Sequence, residues 1–209
     1  PEHDFSGVNR FPRSNRLNPM TMTDPQLIHA FLAGHEPSFE LLMRRRRDLV
    51  YSIALRLVGN ADDAQDVTQN VFIKVYHKMH TLQSAEGFQA WLVRITRNAC
   101  MDLLKSKHRQ IMRPVDLDEM DAVAAPDADA AEHQSLANLL EAALLRIPVD
   151  QREVVVMREL HQLSFNEIAD VLGEPLNTVK SRMYYGLKAL HALACTHPQF
   201  KQLRHELLS

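Results

Sequence analysis

The side chains in this sequence best suited to chemistry are donors for phosphates and base edges. Asn177-Thr178-Val179-Lys180-Ser181-Arg182 sets two cations, two hydroxyls and an amide within one short stretch. Guanidinium and amide groups pair with base edges, while ammonium and hydroxyl groups reach phosphate oxygens. A second set, Arg94, Arg97, Asn98, Lys105 and His108, recurs at i, i+3/i+4 spacing and so falls on roughly one helical face. Groups for catalysis or metal binding are poorly arranged. None of the eleven histidines forms an HxH or HxxxH pair, and His77 and His80, three apart, have no evident third ligand. Cys100 and Cys195 are far apart and form no CxxC; Cys100 is expected to pack on its helix and Cys195 to lie near the end of the last one. Six glycines leave little room for a phosphate-cradling loop, and no nucleophile motif occurs. The expectation is a non-enzyme with no cofactor and no metal.

The elements that must hold the first set have helix-turn-helix spacing from Leu163 to Arg182. Ser164 with Glu167 makes a capping box for the first helix. Ala169 is small where two helices cross, Gly173 sits where the turn needs φ > 0, and Val179 anchors the second helix in the core. Asn177 or Thr178 can cap that second helix. An ordinary helical hairpin shares the small–Gly–Val spacing; the basic, hydroxyl-rich start of the second helix is what points to DNA, because recognition helices meet base edges at their N-terminal end.

Leu, Ala, Met and Arg are common and aromatics few, which favours helices, and 45% apolar residues suffice for packed cores. Apolar periodicity predicts helices from Asp24 as N-cap with Pro25 at the first turn, over 36–58 with Arg44 to Arg47 as a basic interruption, over 61–79, over 88–107, and then over 135–145, 150–160, 165–172 and 178–193. Trp91 is in phase with Leu92 and Ile95 and reads as core. The formal charge of −2 hides a split: residues 36–113 carry 13 Lys+Arg against 8 Asp+Glu, whereas residues 114–134 carry 7 acids and neither Lys nor Arg. The fold expected is all-α, two small helical domains joined by an acidic flexible linker. Residues 1–22 read as an irregular extension with Met20 or Met22 as the natural start, 23–112 as the first domain, 113–134 as the linker, 135–195 as the second domain and 196–209 as a tail. No apolar run is long enough to span a membrane and the N-terminus lacks a signal-peptide core, so a cytoplasmic protein is expected.

Two sets of motifs, in order, carry a resemblance. Asp62-Asp63-Ala64-Gln65-Asp66-Val67-Thr68-Gln69-Asn70-Val71-Phe72 resembles region 2.2 of sigma-70 family factors, and Phe88-Gln89-Ala90-Trp91-Leu92-Val93-Arg94-Ile95-Thr96-Arg97-Asn98 with Asp102 resembles regions 2.3 and 2.4. Pro148 to Val154, Leu163 to Ala169 and Thr178 to Arg182 resemble region 4, most of all that of the extracytoplasmic-function (group IV) type. Residues of about 24–195 are covered.

This resemblance implies a region 2 bundle and a region 4 helix-turn-helix that carry core RNA polymerase to promoter DNA and help open it. Asp62, Asp63, Asp66, Gln69 and Phe72 would dock on the clamp helices of the largest subunit, with the flap region as a second polymerase contact. His80 to Phe88 would shape a pocket for an extruded minus-10 base, with Arg94, Arg97, Asn98, Lys105 and His108 tracking the strand. Asn177, Thr178, Lys180, Ser181, Arg182 and Tyr185 would read the minus-35 element. Tyr184-Tyr185-Gly186 replaces a more basic run found in relatives, and Gln65 and Asn70 replace acids, which weakens docking electrostatically. Thr68, between them, is a candidate phosphorylation site that would restore the charge. Arg44 to Arg47 read as a solvated face. The linker, extended, spans several tens of ångströms, enough for two domains to grip two promoter elements. An anti-sigma protein is the expected inhibitor, and the free chain is expected to be a monomer whose halves move relative to one another. An autonomous helix-turn-helix regulator would bind its site tightly alone, and a purely interacting adaptor would give no promoter-specific transcription.

Overall fold

A computed structural model describes residues 21–111 and 136–196. Nearly all of the extension, the whole linker and nearly all of the tail assigned from the sequence lie outside these residues. The first half holds α1 (Asp24–Leu32), α2 (Glu36–Val58), α3 (Ala61–Lys78), a single 3₁₀ turn (Met79–Thr81) and α4 (Phe88–Ile111). The second holds α5 (Leu136–Leu145), α6 (Val149–Val155), a π turn that continues it (Val156–Leu160), α7 (Phe165–Leu172) and α8 (Leu176–Thr196). All regular elements among the described residues are helical.

Each boundary has a local cause. Thr23, not Asp24, caps α1: its hydroxyl accepts from the Gln26 N–H, and the Gln26 side chain accepts from Thr23 N–H. Asp24 is released for another task. Arg45 and Arg46 reach across from α2 to its carboxylate, and Arg45 also reaches the Met22 carbonyl. The basic run therefore does not break α2, and two of its four arginines clamp α1 in place. Arg44 pairs along its own helix with Glu40. Phe31, Phe39 and Tyr76 add an aromatic knot with centroids 4.9–5.5 Å apart that ties α1, α2 and α3 together. Asn60 caps α3 through the Asp63 N–H, and Asp62 and Asp63 in its first turn suit the helix dipole.

The first core is built where the sequence periodicity placed it. Leu42, Val50, Ile53, Leu57, Val67, Val71 and Val75 are buried, together with Leu92 and Val93 of α4. Each such side chain stabilises by about 1.5–3 kcal/mol on burial. In the second half Val154, Val156, Met157, Leu163, Ile168 and Val179 do the same. The two cores are not separate. Their buried apolar residues form one continuous cluster from Leu27 to Met183. The halves, expected to move independently, are packed: α4 lies against α7, and α2 against α5, α6 and the π turn.

Candidate nucleic-acid interface

α8 carries the first candidate face. The Ser164–Glu167 capping box starts α7 as expected, with the Ser164 N–H donating to Glu167 at 2.7 Å and the Glu167 N–H to the Ser164 hydroxyl at 3.2 Å. Hydrogen bonding from the Ser164 side chain, and then from the Ser164 N–H, holds the Glu167 carboxyl below its usual range. Gly173 leaves α7 at φ 68°, the left-handed turn its position predicted. Val179 is fully buried and seats α8 on the core. Because α8 begins at Leu176, Asn177 and Thr178 lie within its first turn and do not cap it. Asn177, Lys180, Ser181, Tyr184 and Tyr185 are exposed, and Thr178 is half-buried. Arg182 is turned away from them. Its guanidinium lies 3.1 Å from Glu174, 3.6 Å from Asp150 and 3.8 Å from Glu153, so it binds α8 to α6.

α4 carries the second. Asn98, Lys105 and His108 are exposed along it. Arg94 and Arg97 share the helix but are engaged with the other half. Arg94 donates to the Asp170 carbonyl at 2.6 Å, and Arg97 grips Glu153 with two nitrogens at 2.8 and 3.3 Å. His80 is exposed on the 3₁₀ turn. Phe88, expected in a base pocket, is only 2% exposed and packs in the core, so as folded it offers no ring to a base. Trp91 is half-buried beside it, with ring centroids 6.1 Å apart and packed on the core as its phase implied.

The polymerase-facing candidates on α3 fall on either side of a ridge. Gln69 and Phe72 line a groove of about 460 Å³ between α2 and α3, with Arg47, Asp48, Tyr51, Gln65 and Thr68. Asp63 and Asp66 line a groove between α3 and α4 with Asp102 and Lys74. Asp62 and Asp66 are exposed, whereas Asp63 is tied to Lys107 of α4. Thr68 is 6% exposed and its hydroxyl donates to the Ala64 carbonyl at 2.7 Å. As folded, that hydroxyl is engaged with its own helix at the wall of this groove.

Sequence reasoning missed the groups that join the halves. Glu153 is 2% exposed and receives both Arg97 and Arg182. It is a carboxylate sitting in the apolar phase of its helix, between Val149 and Met157, and that is the signal that would have found it. His161 contacts Ser52 of α2 at 3.3 Å and accepts at its carbonyl from Gln89 of α4 at 3.1 Å. Burial and the Arg56 charge push its pKa down to about 4, so it is neutral at pH 7. Arg56 itself pairs with Glu141 of α5 at 3.1 Å. Cys100 is buried and its thiol is pushed up to about 12, which removes it as a nucleophile. No group of three or more metal-ligating side chains exists among the described residues, and none of their helices is long and apolar enough to cross a membrane.

A helix-turn-helix with an exposed polar start to its second helix, joined to a helical bundle with a basic helix of its own, defines a two-part helical DNA-binding protein. The family model for sigma-70 region 2 matches residues 42–110 and that for sigma-70 region 4 matches residues 137–190. The chain is 31% identical to the ECF RNA polymerase sigma-E factor of Escherichia coli (strain K12), over 81% of its own length and 93% of that protein. It is 37% identical to the ECF RNA polymerase sigma factor SigE of Mycolicibacterium smegmatis, over 77% of its own length and 63% of that protein. The solved structure of the sigma factor RpoE in complex with the anti-sigma factor NepR from Bartonella quintana has a similar fold, with a TM-score of 0.62 at 22% identity, covering 76% of this chain and 97% of that one. The chain belongs to the sigma-70 family, as a sigma factor of the extracytoplasmic-function type, and its role is promoter recognition in transcription initiation, without catalysis.

Proposed function

We propose that residues 23–112 form the unit that binds core polymerase and the minus-10 element, that residues 135–195 form the unit for the minus-35 element, and that the protein works in the cytoplasm. One observation carries this reading: each half presents its own exposed polar stripe on a long helix, and each stripe falls inside a separate family match. Asn98, Lys105 and His108 on α4, with Arg94 and Arg97 once freed, are the contacts for the opened strand. His80 borders the base pocket. Asn177, Thr178, Lys180, Ser181 and Tyr185 face the duplex, with Tyr184 beside them. Asp62, Asp66, Gln69 and Phe72 of the α3 ridge meet the polymerase clamp, and the second half meets the flap. The RpoE structure holds an anti-sigma factor, and the same kind of partner is proposed here.

Run-off transcription tests the assignment. Core RNA polymerase with the purified chain over promoters from its own genome should give discrete starts behind a shared two-part motif. Substituting Asn177 or Lys180 should weaken dependence on the upstream part alone, and Lys105→Gln the downstream part alone. Specific starts that ignore all three substitutions would refute the residue assignment.

A further inference from the structure

The loop that joins the 3₁₀ turn to α4 is held by its ends. Among the described residues its hydrogen bonds stay local: Thr81 donates to the Lys78 carbonyl, Gly87 to the Ser84 carbonyl, and Ser84 to the Glu86 carboxylate. Met79 at the entry and Phe88 at the exit are buried, while Thr81, Gln83, Ser84 and Glu86 between them are exposed. The loop is therefore placed by the elements at its two ends, and both are fastened to α1. At the entry α1 lies against the 3₁₀ turn. It also faces the loop itself: the Ser84 hydroxyl, and then a backbone hydrogen bond, hold the Glu86 carboxyl below its usual range, and His29 of α1 adds to that. At the exit the fastening runs through Arg46 of α2. Its Nε and Nη2 sit on one oxygen of Asp24 at 2.6 and 2.5 Å, and its Nη1 reaches the Gln89 amide oxygen in the first turn of α4 at 3.5 Å. Arg45 holds the other Asp24 oxygen. The Gln89 amide nitrogen is spent on the seam where the two halves meet, donating to the His161 carbonyl at 3.1 Å. α1 lies ahead of residue 42, where the region 2 match begins.

We propose that Arg46 is a positioning residue for capture of the extruded minus-10 base: anchored on Asp24, it fixes the start of α4 and with it the loop of residues 82–87. The inference rests on the reading of that loop as the border of the base pocket. A guanidinium suits the task because it is a planar fork whose donors point in fixed directions. Two nitrogens hold the carboxylate while the third holds the amide. An ammonium, a single point charge, satisfies Asp24 and leaves Gln89 loose. The pair is partly buried, with side chains 29% and 15% exposed, so the fork does not swing freely in water. Position matters because an extruded base is read by a few hydrogen bonds along its edge, and a displacement of about one ångström spoils them. A loosened loop still offers the strand the same polar groups, but no longer at the distances that tell one base from another. Arg46 acts through Gln89 and the loop, with no contact of its own to DNA.

The test uses the full-length chain bound to core polymerase, with fluorescein-labelled single-stranded DNA copied from a promoter that run-off transcription has defined. A matching set of strands replaces each base of the minus-10 element in turn, and anisotropy reads the affinities. The parent should reject replacements most strongly at one position, that of the extruded base. Arg46→Lys should lower that rejection by about fivefold or more. The ratios at the other positions and the affinity for core polymerase should not change. Asp24→Asn should act in the same way, since it releases Arg46 from α1 while Thr23 still caps that helix. Unfolding midpoints show whether each variant is folded. Either variant, folded and as selective as the parent, would overturn the inference and leave the reading of the pocket intact. A loss spread evenly over all positions would overturn it as well, because it would mark general damage to the bundle. A parent with no position more selective than the rest would instead sink the reading of the pocket, and the inference with it.

Discussion

α4 and α8 are both long helices with a cationic stripe, and they use their cations in opposite ways. On α8 Lys180 stands exposed with no side-chain partner among the described residues, while Arg182 two positions on is surrounded by Asp150, Glu153 and Glu174. On α4 Lys105 is exposed, while Arg94 and Arg97 are held by the other half. Charge and spacing make these cations equivalent in a sequence. Their availability is decided by what a neighbouring helix offers them, the Asp170 carbonyl for Arg94 and the Glu153 carboxylate for Arg97 and Arg182.

The sharpest way to break this comparison is Arg182→Gln. Removing Arg182 leaves Glu153 with Arg97 alone and takes a partner from Asp150 and Glu174, and the loss of such charged hydrogen bonds costs roughly 1.5–3 kcal/mol. Thermal or urea unfolding should show a destabilised protein. Lys180→Gln, by contrast, should unfold within about 0.5 kcal/mol of the parent. An Arg182→Gln protein that unfolds like the parent yet loses promoter binding would place Arg182 with the DNA contacts after all.

A second, somewhat smaller effect concerns His161. Its pKa is held at about 4 against an ordinary 6.5 by burial and by Arg56, with Ser52 and Gln89 as its other neighbours. The unfolded or opened chain therefore takes up the proton first. Stability is full above the unfolded value near 6.5 and declines as pH falls toward 4. Discounted for partial exposure, the loss between about pH 7 and pH 5 is on the order of 1–2 kcal/mol. His161→Gln should flatten that dependence in unfolding midpoints measured across the range. A parent protein equally stable at both ends would show that His161 is not held neutral by this seam.

What was legible in the sequence follows the same divide. Helix positions came through because their cause is local: apolar phase, the Ser164–Glu167 box and Gly173 after α7 all lie within a few residues of what they control. The Thr23 cap was missed because Asp24 beside it is an equally good capping type, and only Arg45 and Arg46, some twenty residues on, show what Asp24 is for. Phe88 was assigned to a pocket by its place in a motif, while its burial depends on how α4 meets the 3₁₀ turn and α3. Thr68 has the right type for modification, but its hydroxyl bonds within α3. The seam was the least legible part. Glu153, Arg97 and Arg182 come from three helices, and no spacing rule relates them.

Ser164→Ala tests the locally determined side of that divide. It removes the oxygen that receives the Glu167 N–H and should cost about 1 kcal/mol, seen as a lower unfolding midpoint. The Ser164 side chain is also the first cause that lowers the Glu167 carboxyl, ahead of the Ser164 N–H, so that contribution is present above the unfolded pKa and is lost as pH falls through the folded one. The parent and variant curves should therefore converge in acid. Curves that stay parallel would mean the box adds nothing through its charge.

The smallest effect on stability separates the two stripes most cleanly. Lys180→Gln and Lys105→Gln each remove an exposed cation without a side-chain partner among the described residues, so neither should shift unfolding by more than about 0.5 kcal/mol. Their DNA phenotypes should divide. A lost phosphate contact lowers the salt slope of binding by about 1 and weakens binding without changing sequence preference. With polymerase present, Lys180→Gln should show this on duplex carrying the upstream element, and Lys105→Gln on a template already opened around the start site. On the proposed reading α4 meets single-stranded DNA only once the template opens, so a duplex that cannot open should be blind to Lys105. If Lys105→Gln lowers the slope on closed duplex as much as Lys180→Gln does, α4 touches the promoter before opening, and the division of labour between the two helices has to be redrawn.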